Sequence, residues 1–188
     1  MSSRLVAIVP LLVVAAAASC TQGTPQPTPV ERGRYLVTVG GCNDCHTPKL
    51  QGGEGLRLDT AHLLSGHPRD MNLPPPPQLP PGPWAVTTNW MLTAWSGPWG
   101  ISYTANLTPD EETGIGAWDE AMFVNALRKG QHLGAGRPIL PPMPWENYAQ
   151  MSDDDLKAIF AYLKSLPPVK NQVPEPMPPQ APSQSATM

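Results

Sequence analysis

Cys42-Asn43-Asp44-Cys45-His46 sets two thiols three positions apart with an imidazole directly after the second. That spacing lets two sulfurs reach the two vinyl groups of one porphyrin while the histidine is carried under the iron as an axial ligand, so the five residues read as an attachment site for c-type haem. A thioredoxin-like C-x-x-C would want a strand-helix-strand pattern close by, and zinc would want a second pair of thiols or histidines at matching spacing. Neither pattern is in the sequence.

A haem that passes electrons without binding oxygen or substrate needs a second axial ligand. Met143 is the candidate: in Leu140-Pro141-Pro142-Met143-Pro144-Trp145 the flanking prolines fix the backbone and present a thioether with little loss of entropy. The bland alternative is a methionine merely packed in a loop. Met122 and Met151 read as core residues beside helices, and Met71 and Met91 fall in irregular sequence. His62, His67 and His132 could replace methionine in principle, but loop histidines of this kind are expected to be solvated.

These residues need elements to position them. Val30 to Gly40 reads as a helix with Tyr35, Leu36 and Val39 at helical spacing, ending just before the first thiol. Trp118 to Lys129 reads as a second, with Asp119 and Glu120 in its first turn, Arg128 and Lys129 in its last, and Gly130 closing it. Pro144 to Met151 suggests one or two turns. Ser152 then caps a helix that runs to Leu166, where Leu156, Ile159, Phe160 and Leu163 recur every three or four residues and Pro167-Pro168 stops it. Between them, residues 47–104 show little periodicity, four consecutive prolines from Pro74 and the tryptophans Trp84, Trp90, Trp95 and Trp99, and read as a long loop or lid.

The 188 residues suffice for one domain with a real core. Charged residues make up 14% and the net charge is -3, so nothing favours electrostatic binding to nucleic acid. Residues 1–19 carry Arg4 and then an apolar run ending in small residues, the layout of a secretory signal. Export also suits haem attachment by reduced thiols outside the cytoplasm. Cys20 follows Ala17-Ala18-Ser19 as a lipidated cysteine would, although Ala17 stands where leucine is usual, and residues 21–29 read as a flexible tether. The domain proper spans 30–170. Residues 171–188, rich in Pro, Gln and Ser, are expected to be a disordered tail.

The order helix, C-x-x-C-H, helix, proline-framed methionine, helix resembles class I cytochromes c, and it does so over most of Val30 to Lys170. Asn106 to Asp110, Thr113 to Gly116 and Pro141 to Trp145 look especially similar to bacterial periplasmic members of that family. The resemblance implies an all-α fold around one covalent haem c, here with a Pro/Trp-rich insertion at about 47–104. It further implies that Ala105-Asn106-Leu107 supplies a backbone carbonyl to the His46 ring, alanine standing where the family has proline. Trp118 would donate to a haem propionate or else serve as a core aromatic, and Tyr162 would pack across the first helix near Gly33 and Tyr35. Several such relatives carry two haems, but one C-x-x-C-H occurs here.

The expected function is therefore that of a periplasmic electron carrier, not an enzyme. A dehydrogenase or quinol-oxidising complex would serve as donor and an oxidase or reductase as acceptor, the chain being tethered through Cys20. The rival expectation is a haem enzyme or gas-binding sensor with an open distal side, and a third is a carrier that is the tethered electron-transfer subunit of a dehydrogenase complex. Intact-mass analysis of the mature exported protein should find acyl groups on Cys20 and the protein in the membrane fraction; a wholly aqueous periplasmic product without acyl mass would remove the anchor.

Overall fold

The structure is a computed structural model and describes residues 25–53 and 55–179; the signal segment, Cys20 and residues 180–188 lie outside the described residues. Helix α1, Pro29–Val39, starts where Thr28 and Glu31 cap one another: the Glu31 amide donates to Thr28 Oγ1 (3.2 Å) and the Thr28 amide to Glu31 Oε2 (2.8 Å). Pro29, with no amide to satisfy, occupies the first turn. Gly33, Leu36 and Val37 form its buried face. Tyr35 and Val39, counted in the apolar stripe from spacing, are 56% and 61% exposed instead, and the Arg32 guanidinium lies over the Tyr35 ring.

The haem motif is itself a single-turn helix, α2, Cys42–His46, entered through Gly41 in the left-handed conformation. Helix α3, Glu120–Lys129, begins after Asp119, whose carboxylate accepts from the Met122 amide at 2.7 Å, and ends at Gly130. A short turn of helix α4, Trp145–Tyr148, precedes α5, Asp153–Lys164, capped as expected by Ser152. Leu156, Ile159, Phe160 and Leu163 of α5 meet Leu36 and Val37 of α1 and Phe123 and Leu127 of α3 in one core, joined from the loops by Leu64 and Ile115.

Helices α1 and α5 can approach closely because Gly33 has no side chain: a Cβ there would lie 1.9 Å from the Ala158 carbonyl oxygen and 2.7 Å from Tyr162 Cβ. The contact expected between Tyr162 and the first helix is thus made at Gly33. Arg32 of α1 adds an ion pair to Asp155 of α5 at 2.9 Å, on a partly exposed edge where such pairs contribute little.

The all-α expectation needs correction in the insertion. Strands β1, Lys49–Gly52, and β2, Gly55–Leu58, form an antiparallel hairpin, with Lys49 opposite Leu58. Strands β3, Thr87–Thr88, β4, Ala94–Gly97, and β5, Gly100–Tyr103, form a second antiparallel sheet in the order β3-β4-β5, with Trp95 opposite Ser102. Strands of two to four residues are too short to leave a period-two signal, but Trp95, Ile101 and Tyr103 are good strand formers.

The expected disordered tail does not begin at Asn171. Residues 171–179 return to the domain: buried Asn171 donates to the carbonyls of Ser65 (2.7 Å) and His67 (2.9 Å) and accepts from the Arg69 amide, and Met177 exchanges backbone hydrogen bonds with Ile101. Low apolar content argued for disorder, whereas these long-range polar contacts supply the order.

Among the described residues no helix is long and apolar enough to cross a membrane. Replacing Gly33 by Ala is expected to destabilise the folded protein by about 1–3 kcal/mol or more, because backbone must move to admit the methyl group. The control Gly53→Ala, where a Cβ meets nothing within 4 Å, should stay within about 0.5 kcal/mol. Urea unfolding of both variants measures the difference.

Candidate functional site

The helical shell leaves a cavity of about 950 Å³, at the upper end of the size of cofactor sites. Cys42, Cys45 and His46 open onto it from α2, and Met143 opens onto it from the proline-framed loop. Most of the wall is apolar, with Val37, Leu127, Ile139, Ile159 and Leu163 among its residues. A flat, largely apolar macrocycle fits such a lining, and two thiols with one imidazole are the donor set that c-type haem attachment requires.

His46 is held for this task. Its Nδ1 lies 2.8 Å from the Ala105 carbonyl oxygen, which can only accept, so Nδ1 carries the proton and Nε2 keeps its lone pair. The carbonyl role expected of the Ala105-Asn106-Leu107 segment is filled by Ala105, without a proline. Burial pushes the imidazole pKa down, the bond to Ala105 opposing that shift. The ring therefore stays neutral, the form in which an imidazole binds metal.

The turn that bears the thiols is tied on three sides. Thr47 Oγ1 donates to Asn43 Oδ1 at 2.9 Å and accepts from the Leu64 amide at 2.9 Å. The buried Lys49 ammonium donates to the Asp44 carbonyl and, at 2.7 Å, to that of Met91, which fastens the insertion to the motif. Tyr148 of α4 donates to the Gly40 carbonyl at 2.5 Å. Burial raises the Cys42 thiol pKa to about 11 and also raises that of Cys45, so in the free chain both are protonated at neutral pH.

The Met143 loop is supported from the insertion. Ser102 of β5 donates to the Pro141 carbonyl at 2.6 Å and accepts from the Trp99 indole at 3.2 Å. Sequence reasoning missed Ser102, since nothing local marks a serine as the partner of a carbonyl 39 residues on.

The other candidates separate. His62 is exposed and pairs with Asp59 at 2.7 Å, and neither it nor His67, Met71 or Met91 lines the cavity. His67 is not solvated as expected but fully buried, hydrogen-bonded through Nδ1 to Thr93 Oγ1 at 2.9 Å and packed on Tyr103. Met151 packs against the core. Met122, expected in the core, is 40% exposed and lies on the cavity wall, as do Trp118 and His132, whose rings meet edge to face at 5.2 Å.

Residues 30–167 match the family described as Cytochrome c. The chain belongs to the cytochrome c family. Among its relatives, a subunit of the nicotinate dehydrogenase of Pseudomonas putida is 32% identical over 77% of this chain and 9% of that protein. The gluconate 2-dehydrogenase cytochrome c subunit of Pantoea cypripedii is 33% identical over 71% of the chain and 22% of its own length. The cytochrome c subunit of a quinone-dependent alcohol dehydrogenase of Gluconobacter oxydans is 28% identical over 92% and 29%. The chain thus spans less than a third of the length of these relatives. Membership carries with it a covalently bound haem c and its iron, for which Cys42 and Cys45 have the right spacing.

His67 makes a pH prediction. Burial lowers its folded pKa below the ordinary 6.5, so the unfolded chain binds the proton more readily. The stability this contributes is complete above about pH 6.5 and is lost as pH falls from there through the lower folded value. Denaturant unfolding between pH 8 and about 5 should show that loss in the wild type, and His67→Gln should flatten this limb while costing about 1–3 kcal/mol at pH 8.

Proposed function

We propose that this cytochrome is an exported, periplasmic monohaem electron carrier with His46 and Met143 as axial ligands, taking electrons from a dehydrogenase or quinol-oxidising complex and delivering them to an oxidase or reductase. The observation that supports the reading is that Cys42, Cys45, the tautomer-fixed His46 and Met143 all line one cavity. Relatives named as subunits of nicotinate, gluconate, alcohol and fructose dehydrogenases support a dehydrogenase as donor.

Haem c, when bound, supplies the one-electron iron couple. The protein's part is to hold still. His46 presents a neutral nitrogen whose direction is set by Ala105, and the Met143 loop is pinned through Pro141 to Ser102. Two fixed ligands mean little rearrangement on gaining or losing an electron. The soft thioether and the apolar wall both disfavour the ferric charge, which raises the reduction potential. A lipid at Cys20, followed by a tether that ends where Thr28 caps α1, one residue short of the expected 21–29, keeps the carrier close to a membrane-bound partner.

Met143 shares the cavity wall with Met122, so the test compares both. Ferrous wild-type protein and Met122→Leu should be low-spin and refuse carbon monoxide, whereas Met143→Ala should become high-spin and bind it. Rapid carbon monoxide binding by the wild type would instead establish the open-sided haem protein.

A further inference from the structure

The segment expected to be disordered forms part of the cavity wall. Gln172, Val173, Pro174, Glu175 and Pro176 all line it. Their path is fixed at both ends. On one side the buried Asn171 holds the carbonyls of Ser65 and His67. On the other, Met177 pairs with Ile101 through N–O distances of 2.9 and 2.8 Å. The approach to β5 is close enough that a Cβ on Gly100 would lie 2.1 Å from the Met177 carbonyl oxygen. Pro174 and Pro176 stiffen the span between these anchors.

The charge on the cavity wall is uneven. Asp44, Glu111, Glu112 and Glu175 contribute to the lining, Glu112 with its carboxylate paired to Lys170 at 2.6 Å, and among the described residues Arg137 is the only lysine or arginine there. Haem brings two further carboxylates, and a carboxylate held against a protein wall needs a cation or hydrogen-bond donors. Arg137 is set in a backbone bridge, its carbonyl accepting from the His132 amide at 2.9 Å, beside the His132 ring that abuts Trp118. Its guanidinium stands 3.7 Å from the largely exposed Glu175 carboxylate, a loose pair that leaves other N–H donors of the fork free.

We propose that Arg137 is the residue that takes a haem propionate, and that the strap Gln172–Pro176 encloses that end of the cofactor and sets the Glu175 carboxylate beside Arg137. The assignment rests on haem in this cavity and not on Met143 as the distal ligand. A cation beside the haem disfavours the ferric state, and the anion behind it weakens that effect. The two side chains therefore pull the reduction equilibrium in opposite directions.

The experiment is redox titration of the purified holoprotein at one fixed pH and ionic strength. Arg137→Gln should shift the equilibrium toward the oxidised form by the order of threefold to tenfold, with Arg137→Lys restoring most of it, and Glu175→Gln should shift it the other way. Because these side chains are partly exposed, the variants should retain the wild-type fold, checked by far-UV circular dichroism. An unchanged midpoint in Arg137→Gln, or Arg137→Gln and Glu175→Gln moving it in the same direction, overturns the assignment. The sign comparison holds for either spin state, so its failure is distinct from failure of the Met143 ligation.

Discussion

The hydrogen bond from His46 Nδ1 to the Ala105 carbonyl joins residues 59 positions apart and fixes the ring that must face the cavity. Every residue of the insertion lies between its two partners. The chain leaves the haem motif at Thr47 and comes back at Ala105, and the base of this excursion is closed twice more, by the Gly66 amide on the His46 carbonyl (2.8 Å) and the His67 amide on that of Thr104 (2.9 Å). Closing a longer loop adds only a logarithmic entropy cost, so a large insertion is tolerated where its ends are already held together. What the enclosed residues must do is preserve the base, and buried Thr47, Leu64 and His67 do so with hydrogen bonds and apolar packing.

The helices and the attachment motif were legible because their signals are local. Ser152 capping α5, the three- and four-residue recurrence of Leu156, Ile159, Phe160 and Leu163, and the five-residue haem motif each fit within one or two turns of chain. The carbonyl of Ala105 was reached through family resemblance, not through any pattern in the residues themselves. Three features escaped for one physical reason: their partners are distant in sequence. His67 is buried by contacts with Thr93 and Tyr103, Asn171 is ordered by Ser65 and His67, and the short strands β3 to β5 exist through their pairing with one another. Composition registers none of these contacts.

Met122 was misjudged for a different reason. It sits on the same stretch of α3 as Phe123 and Ala126, so helical spacing alone assigns it to an apolar face. Helix α3, however, borders both the packed core and the cofactor cavity. Phe123 serves both, meeting Phe160 at 5.3 Å between ring centroids and lining the cavity, while Met122 lines the cavity outside the packed core. In a protein whose interior is completed by a prosthetic group, an apolar stripe marks what avoids water without telling core from cofactor wall.

The same constraint explains why the insertion carries sheet. The attachment turn and the proline-rich loop rest on the helical core through Cys42 and Met143, and the insertion adds a further layer. The β3-β4-β5 sheet provides that layer on the side of the methionine loop: Trp99 donates to Ser102, and Ser102 to Pro141, two residues before Met143. The hairpin side is coupled to the thiols through Lys49, whose ammonium bridges the Asp44 and Met91 carbonyls. These part-buried hydrogen bonds from a serine hydroxyl and a lysine ammonium each contribute about 0.5–3 kcal/mol. The two sides of the cavity are therefore anchored to one inserted structure, and a displacement of that insertion would be felt by the attachment turn and the methionine loop together.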